Sequence, residues 1–141
     1  MTSDPSIITF LVLRSPSRAV KEIRRALAAA GLTVAGEMDL AARLGRGLKV
    51  GFPACKVMCV DCPTTLLEAL AFDRSAAVLM PIHLVVTEDD AGTAVHMLNP
   101  SARLYDALPV TSRPAVSKLI GAVTKCLDSM STRHHAVEGC S

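Results

Sequence analysis

Apolar residues follow two rhythms along this chain, and the alternation between them predicts the architecture. Residues 7–13 form a short continuous apolar run, with the length and composition of a buried strand. Ser15-Pro16 then opens a helix, because serine suits the N-cap and proline the first helical position. Val20, Ile23 and Leu27 recur at helical spacing, with Ala19, Ala26 and Ala30 beside them, and Gly31 stops the helix. Residues 32–40 read as a second strand, 41–52 as a Gly-rich connection with room for one helical turn, and 54–61 as a third strand. Pro63 starts a short helix to Phe72 whose expected inner face is Leu66, Leu67 and Leu70.

The second half switches back to strands. Residues 77–87 and 93–98 pair as a hairpin across the acidic turn Glu88-Asp89-Asp90-Ala91-Gly92, and Asn99-Pro100 closes it. After an irregular stretch, Arg113-Pro114 opens a long helix to Met130, faced by Val116, Leu119, Ile120, Val123, Leu127 and Met130. Residues 131–141 carry no pattern and are expected to be a mobile tail, leaving 1–130 as a single domain. The order is β-α-β-β-α-β-β-α. A hairpin implies antiparallel pairing, and helices with one apolar side are expected to cover one face of a sheet. The fold class is α+β: a single mainly antiparallel sheet of about five strands, helices packed on one face.

Composition narrows this picture in three ways. The chain has 141 residues, enough for one domain with its own core. Half the residues are hydrophobic and 20% charged, a globular balance. The aromatics are Phe10, Phe52, Phe72 and Tyr105 alone, so the core is expected to be aliphatic and the scarcity argues against a base-stacking surface. No nucleic-acid partner is expected.

Charge is uneven along the chain. Residues 1–50 carry eight Lys/Arg against four Asp/Glu, whereas residues 51–141 carry seven against nine. Arg14, Arg18, Lys21 and Arg25 fall along one side of the first helix, either as a solvated face or as a docking surface for an anionic partner. The start Met1-Thr2-Ser3-Asp4-Pro5 has no basic leader, and the first apolar run is too short to span a bilayer. No membrane association and a cytoplasmic address are expected. Five cysteines (Cys55, Cys59, Cys62, Cys126, Cys140) form an odd set, and in a reducing compartment no disulfide framework is expected.

The most suggestive chemistry lies in Cys59-Val60-Asp61-Cys62-Pro63, where a strand hands over to a helix. A cysteine just before a helix meets unpaired N–H groups and the positive end of the helix dipole, both of which favour thiolate. Cys62 and Cys59 are therefore the candidate thiols, nucleophile and resolving partner, since two intervening residues permit exchange. Asp61 would oppose this by raising the thiol pKa. Buried cysteine acting as a small hydrophobe is the alternative for both. Cys59 and Cys62 with His83 are the candidate metal ligands, with Cys55 nearby, but no second ligand cluster with zinc spacing follows. His134, His135 and Cys140 on the tail are weaker ligands of the same kind. Gly45-Arg46-Gly47 lacks phosphate-loop spacing. No cofactor is specified.

Phe52-Pro53, the strand after it, Cys62-Pro63, Leu66 to Leu70, Asp73, Leu79-Met80-Pro81 leading to Val85-Val86, and Asn99-Pro100 occur in an order that resembles the family catalogued as domain of unknown function 302. The resemblance covers roughly residues 7–130. It implies a compact α+β domain with an antiparallel sheet, a small stand-alone bacterial protein that self-associates through the sheet or its edge, and no agreed activity. Two departures stand out. The family commonly has Cys-Asn-Pro where this chain has Cys62-Pro63 directly, and Pro-Cys where this chain has Pro81-Ile82. Cys62 is kept and its family partner is missing, with Cys59 and His83 as the possible substitutes.

Good core patterning without assembled reaction machinery favours a non-catalytic, homo-oligomeric domain, a homodimer, that binds a small ligand or a protein partner. Its pocket is expected where Cys62, Pro63, Pro81 and His83 converge. A thiol or sulfur-handling protein using Cys62 with Cys59, or a metal-binding module using Cys59, Cys62 and His83, are the alternatives.

Overall fold

The computed structural model describes residues 6–100, 103–131 and 133–136. Six strands form one sheet: β1 (Ile7–Val12), β2 (Thr33–Asp39), β3 (Cys55–Asp61), β4 (Ile82–Asp89), β5 (Gly92–Leu98) and β6 (Arg133–Ala136). Their spatial order is β2-β3-β4-β5-β1-β6, and every neighbouring pair is antiparallel. The helices are α1 (Pro16–Ala29), α2 (Leu40–Leu48), α3 (Pro63–Phe72) and α4 (Arg113–Met130), with 3-10 turns at Arg74–Leu79 and Arg103–Ala107. The α+β class and the antiparallel sheet are as expected. Among the described residues no helix is long and apolar enough to cross a membrane.

Strand alternation builds the core. Ile8, Phe10 and Val12 of β1, Met58 and Val60 of β3, Ile82, Leu84 and Val86 of β4, and Val95 and Met97 of β5 are buried on one side of the sheet. They meet Val20, Ile23 and Leu27 of α1 and Val116, Leu119, Ile120, Val123 and Leu127 of α4 in one cluster. Both α1 and α3 pack on α4, so the helices share a layer. Helix α1 obeys its local signals: Pro16 at its start, Ala30 as C-cap, and Gly31 at φ +80° just beyond.

Four local expectations need correction. The Gly-rich connection is α2, a nine-residue helix, because the Asp39 carboxylate accepts from the Ala42 N–H at 2.9 Å and caps it. Lys49 ends it at φ +56°. Strand β4 starts only at Ile82, after the 3-10 turn and Pro81, since proline cannot donate to a ladder. Leu67 points outward from α3 with 69% of its surface exposed, while Thr65 and Ala69 are buried. Beyond residue 130, Arg133–Ala136 adds a sixth strand against β1 instead of continuing as unpatterned chain. The rest of the expected tail, residue 132 and residues 137–141 with Cys140, lies outside the described residues.

Among the described residues, no helix covers the other side of the sheet. Met38, Val57, Val85, His96 and Thr9 form a row across five strands there, with Cys59 and His83 in the adjacent row. His96 knits its centre: Nδ1 lies 2.9 Å from Thr9 Oγ1 and Nε2 3.2 Å from Thr87 Oγ1. Burial lowers its pKa, against a smaller pull from Asp89, and the neutral imidazole that this favours donates one of the two hydrogen bonds and accepts the other.

Candidate functional site

Cys62 occupies the position its sequence context predicts. It is the N-cap of α3, extended at φ −136° and ψ 122°, and Pro63 begins the helix behind it. Its carbonyl accepts from the Leu66 N–H at 2.8 Å, while the sulfur makes no close side-chain cap bond. Its nearest partner is the Thr64 hydroxyl at 3.2 Å. That hydroxyl, followed by the amide and hydroxyl of Thr65, lowers the thiol from 9.0 to about 7 despite a small opposing effect of burial. A sulfur is large and its charge diffuse, so these donors act at longer range than they would on a serine or aspartate cap. The sulfur is half-buried and free.

Cys59 does not join it. Residues 59 and 62 are an odd number apart on extended chain, which turns their side chains to opposite faces. Cys59 stands opposite His83 on the uncovered face, whereas Cys62 packs against the helix-side core. The two thiols are not a preformed exchange pair. For the same reason the metal set of Cys59, Cys62 and His83 is not assembled: among the described residues no three His, Cys, Asp or Glu side chains converge as ligands. Cys126 is also half-buried, and burial raises its pKa.

The expected pocket is split. Pro81 and His83 line a cavity of about 90 Å³ with Val78, Leu79, Leu98 and Tyr105, and Cys62 and Pro63 are not part of it. That space holds little more than a few waters. Cys62 and Pro63 sit instead at the head of α3.

The larger concavity lies elsewhere, in a place the sequence did not mark. A cleft of about 630 Å³ opens between the first turns of α1 and α2, above the start of β3. Its apolar lining is Pro16, Val20, Ala41, Ala42, Ala54 and Val86; its polar lining is Ser17, Lys21, Arg24, Asp39, Cys55 and Lys56. Glu37 of β2 organises the rim. Its two oxygens accept from Arg24 Nε and a terminal nitrogen at 2.6 Å each, and Lys56 Nζ lies 3.4 Å away. Arg24 first, then Lys56, holds the Glu37 carboxyl below its usual range. Arg24 correspondingly titrates above its ordinary value. Asp39 is committed to capping α2.

In the sequence Lys21 belongs only to a basic stripe, and no motif or spacing marks Arg24, Glu37 or Lys56. Asp39 before Leu40-Ala41-Ala42 was the one available signal, an N-cap ahead of good helix formers. The Arg24–Glu37–Lys56 cluster joins three elements and left no trace in local spacing.

Comparison with known proteins agrees with the fold. The family model described as "Domain of unknown function DUF302" matches residues 8–132. Among solved structures, that of an uncharacterized conserved DUF302 protein from Bacillus stearothermophilus superposes with a TM-score of 0.77 at 16% identity. The match covers 88% of this chain and 97% of that one. At that identity the likeness concerns the fold alone. None of the curated proteins matches the chain.

Proposed function

From the premise that this chain belongs to the DUF302 family, we propose that it is a small-ligand-binding domain whose site is the cleft between α1 and α2. The observation that carries this is the cleft's volume, about 630 Å³, within the ~300–1,000 Å³ typical of small-molecule sites. Its lining has the usual division, an apolar floor with a few polar groups at the walls. The test is to fill it. In a thermal-shift screen of metabolites, compounds that raise the midpoint of the natural protein are expected to lose their effect on Ala42→Trp, whose indole occupies the cleft mouth. Hits that persist unchanged in a folded Ala42→Trp protein would place binding elsewhere.

Self-association belongs to the same proposal. The sheet face away from the helices presents Ile7 and Met38, 42% and 48% exposed, with half-buried Leu11, Val57, Val85 and Leu98. These apolar side chains, set around the His96–threonine centre, favour pairing with a second copy. Light scattering is expected to give twice the chain mass, and Val85→Glu is expected to reduce it to one; a monomer at high concentration would count against pairing.

A second reading has its own support, a thiol function at Cys62. The half-buried sulfur at the head of α3, with the Thr64 hydroxyl beside it, is set up for attack on an electrophile as a single thiol. Cys59 faces the other side of the sheet, so this reading does not use it as the resolving thiol.

A further inference from the structure

The cleft's charges do not cancel locally. Three cations, Lys21, Arg24 and Lys56, face two carboxylates, Glu37 and Asp39. Arg24 and Lys56 share Glu37, and Asp39 keeps its charge while capping α2 through the Ala42 N–H, which leaves one positive charge in excess. Lys21, on the same wall, is exposed, and among the described residues no acid lies within ion-pair distance of it. Arg14, the neighbouring cation two residues before α1, is paired with Glu22 at 3.1 Å instead. Below these cations the lining is made of small apolar side chains, Val20, Ala41, Ala42 and Val86.

We propose that the α1–α2 cleft takes a small organic anion with an apolar body, a carboxylate whose head pairs with Lys21 at the cationic wall and whose tail lies on the Val20–Ala41–Ala42–Val86 floor. The proposal rests on the cleft being the binding site and adds the ligand's class. Two physical requirements select that class. A neutral apolar ligand would leave Lys21 solvated and gain nothing from it. A fully polar anion would gain no burial from the alanine and valine floor. An amphipathic carboxylate satisfies both, since a charge-assisted hydrogen bond to an ammonium is among the stronger polar contacts. Arg24 and Lys56 add attraction while Glu37 holds them in place.

Isothermal titration calorimetry on the full-length protein reads binding without altering the cleft lining. Octanoate is expected to give a saturable heat, octanol to bind about tenfold more weakly, and acetate to give no response. Lys21→Ala is expected to weaken octanoate about tenfold and to leave octanol unchanged, with Lys21→Arg restoring most of the loss. Lys21 is exposed, so these variants are expected to fold normally. Equal affinity for octanoate and octanol would overturn the carboxylate while leaving an apolar cleft site standing. No response to octanoate would also overturn it, and metabolites whose effect disappears in Ala42→Trp would show that the cleft itself still binds. If octanoate binds and Ala42→Trp does not block it, the location is wrong.

Discussion

Gly92→Ala is expected to be severely destabilising, whereas the same exchange at Gly121 is expected to be neutral or stabilising. Gly92 opens β5 at φ +144°, in a region that residues with a Cβ rarely enter. An added Cβ would lie 2.7 Å from the Val12 carbonyl oxygen and 3.0 Å from that of Arg14. Both obstacles are backbone, so neither can rotate away. The unfavourable dihedral costs about 1–3 kcal/mol, and the overpacking costs a similar ~1–3 kcal/mol. Together they are a large share of the about 5–15 kcal/mol that holds a typical domain folded.

The damage would reach the cleft. Thr93 Oγ1 donates to the Arg14 carbonyl at 2.7 Å, so the β4–β5 turn clamps the connection from β1 into α1. That connection places Pro16 and Ser17 at the cleft mouth. Gly121, in contrast, sits exposed in α4 with no atom within 4 Å of a built Cβ. Alanine there gains helix propensity worth up to about 1 kcal/mol. Urea unfolding of the two variants is the measurement. Similar midpoints for both would show that the turn does not carry the strain assigned to it.

At pH 7, Cys62 is expected to alkylate about fivefold faster than a thiol that titrates at 9.0, and by a wider margin than Cys126. With its pKa at about 7, half of it is thiolate, against roughly one part in a hundred for a thiol at 9.0. A lower pKa also makes the sulfur less nucleophilic, which removes roughly tenfold of that advantage over two pH units. What remains is a several-fold excess, larger against Cys126, whose pKa is raised by burial. Mass mapping after brief iodoacetamide pulses across pH should give a midpoint near 7 for Cys62. Thr64→Val is expected to move that midpoint up, because it deletes the leading donor, and Cys62→Ser to abolish the fast phase. A Cys62 midpoint above 8.5, or slower labelling than Cys126, would remove the thiol reading.

The same shift has a stability consequence of definite sign. The folded thiol is more acidic than the unfolded one at 9.0, so its linkage contribution is fully present above about 9. It fades as pH falls and is gone below about 7. The stability gap between the natural protein and Cys62→Ser should therefore narrow from pH 9 to pH 6. The sulfur is solvent-accessible, so the change is expected to be small.

Much of this protein was legible one element at a time. Ser15-Pro16 and Gly31 bounded α1, Pro63 started α3 and turned Cys62 into its cap, and the 3.6-residue period from Val116 to Leu127 marked α4. Those signals are local: a capping geometry or a dihedral preference acts within a turn, whatever the rest of the chain does. Glycines at 45, 47 and 51 argue locally against α2, yet the Asp39 cap and the alanines outweigh them. Strand β6 left no pattern because an edge strand joined through backbone hydrogen bonds needs no apolar alternation.

By itself, then, the chain's residue order determined α1, α3 and α4, most strands and the acidic tendency of one sulfur, since neighbours along the backbone create them. Tertiary structure alone decided which distant side chains meet. It set Lys21, Arg24, Glu37 and Lys56 around one cleft, joined Thr9 to His96 across 87 residues, and kept Cys62 apart from His83. The reason is geometric: contact across a sheet depends on register and strand order, and neither is encoded in the spacing of any single segment.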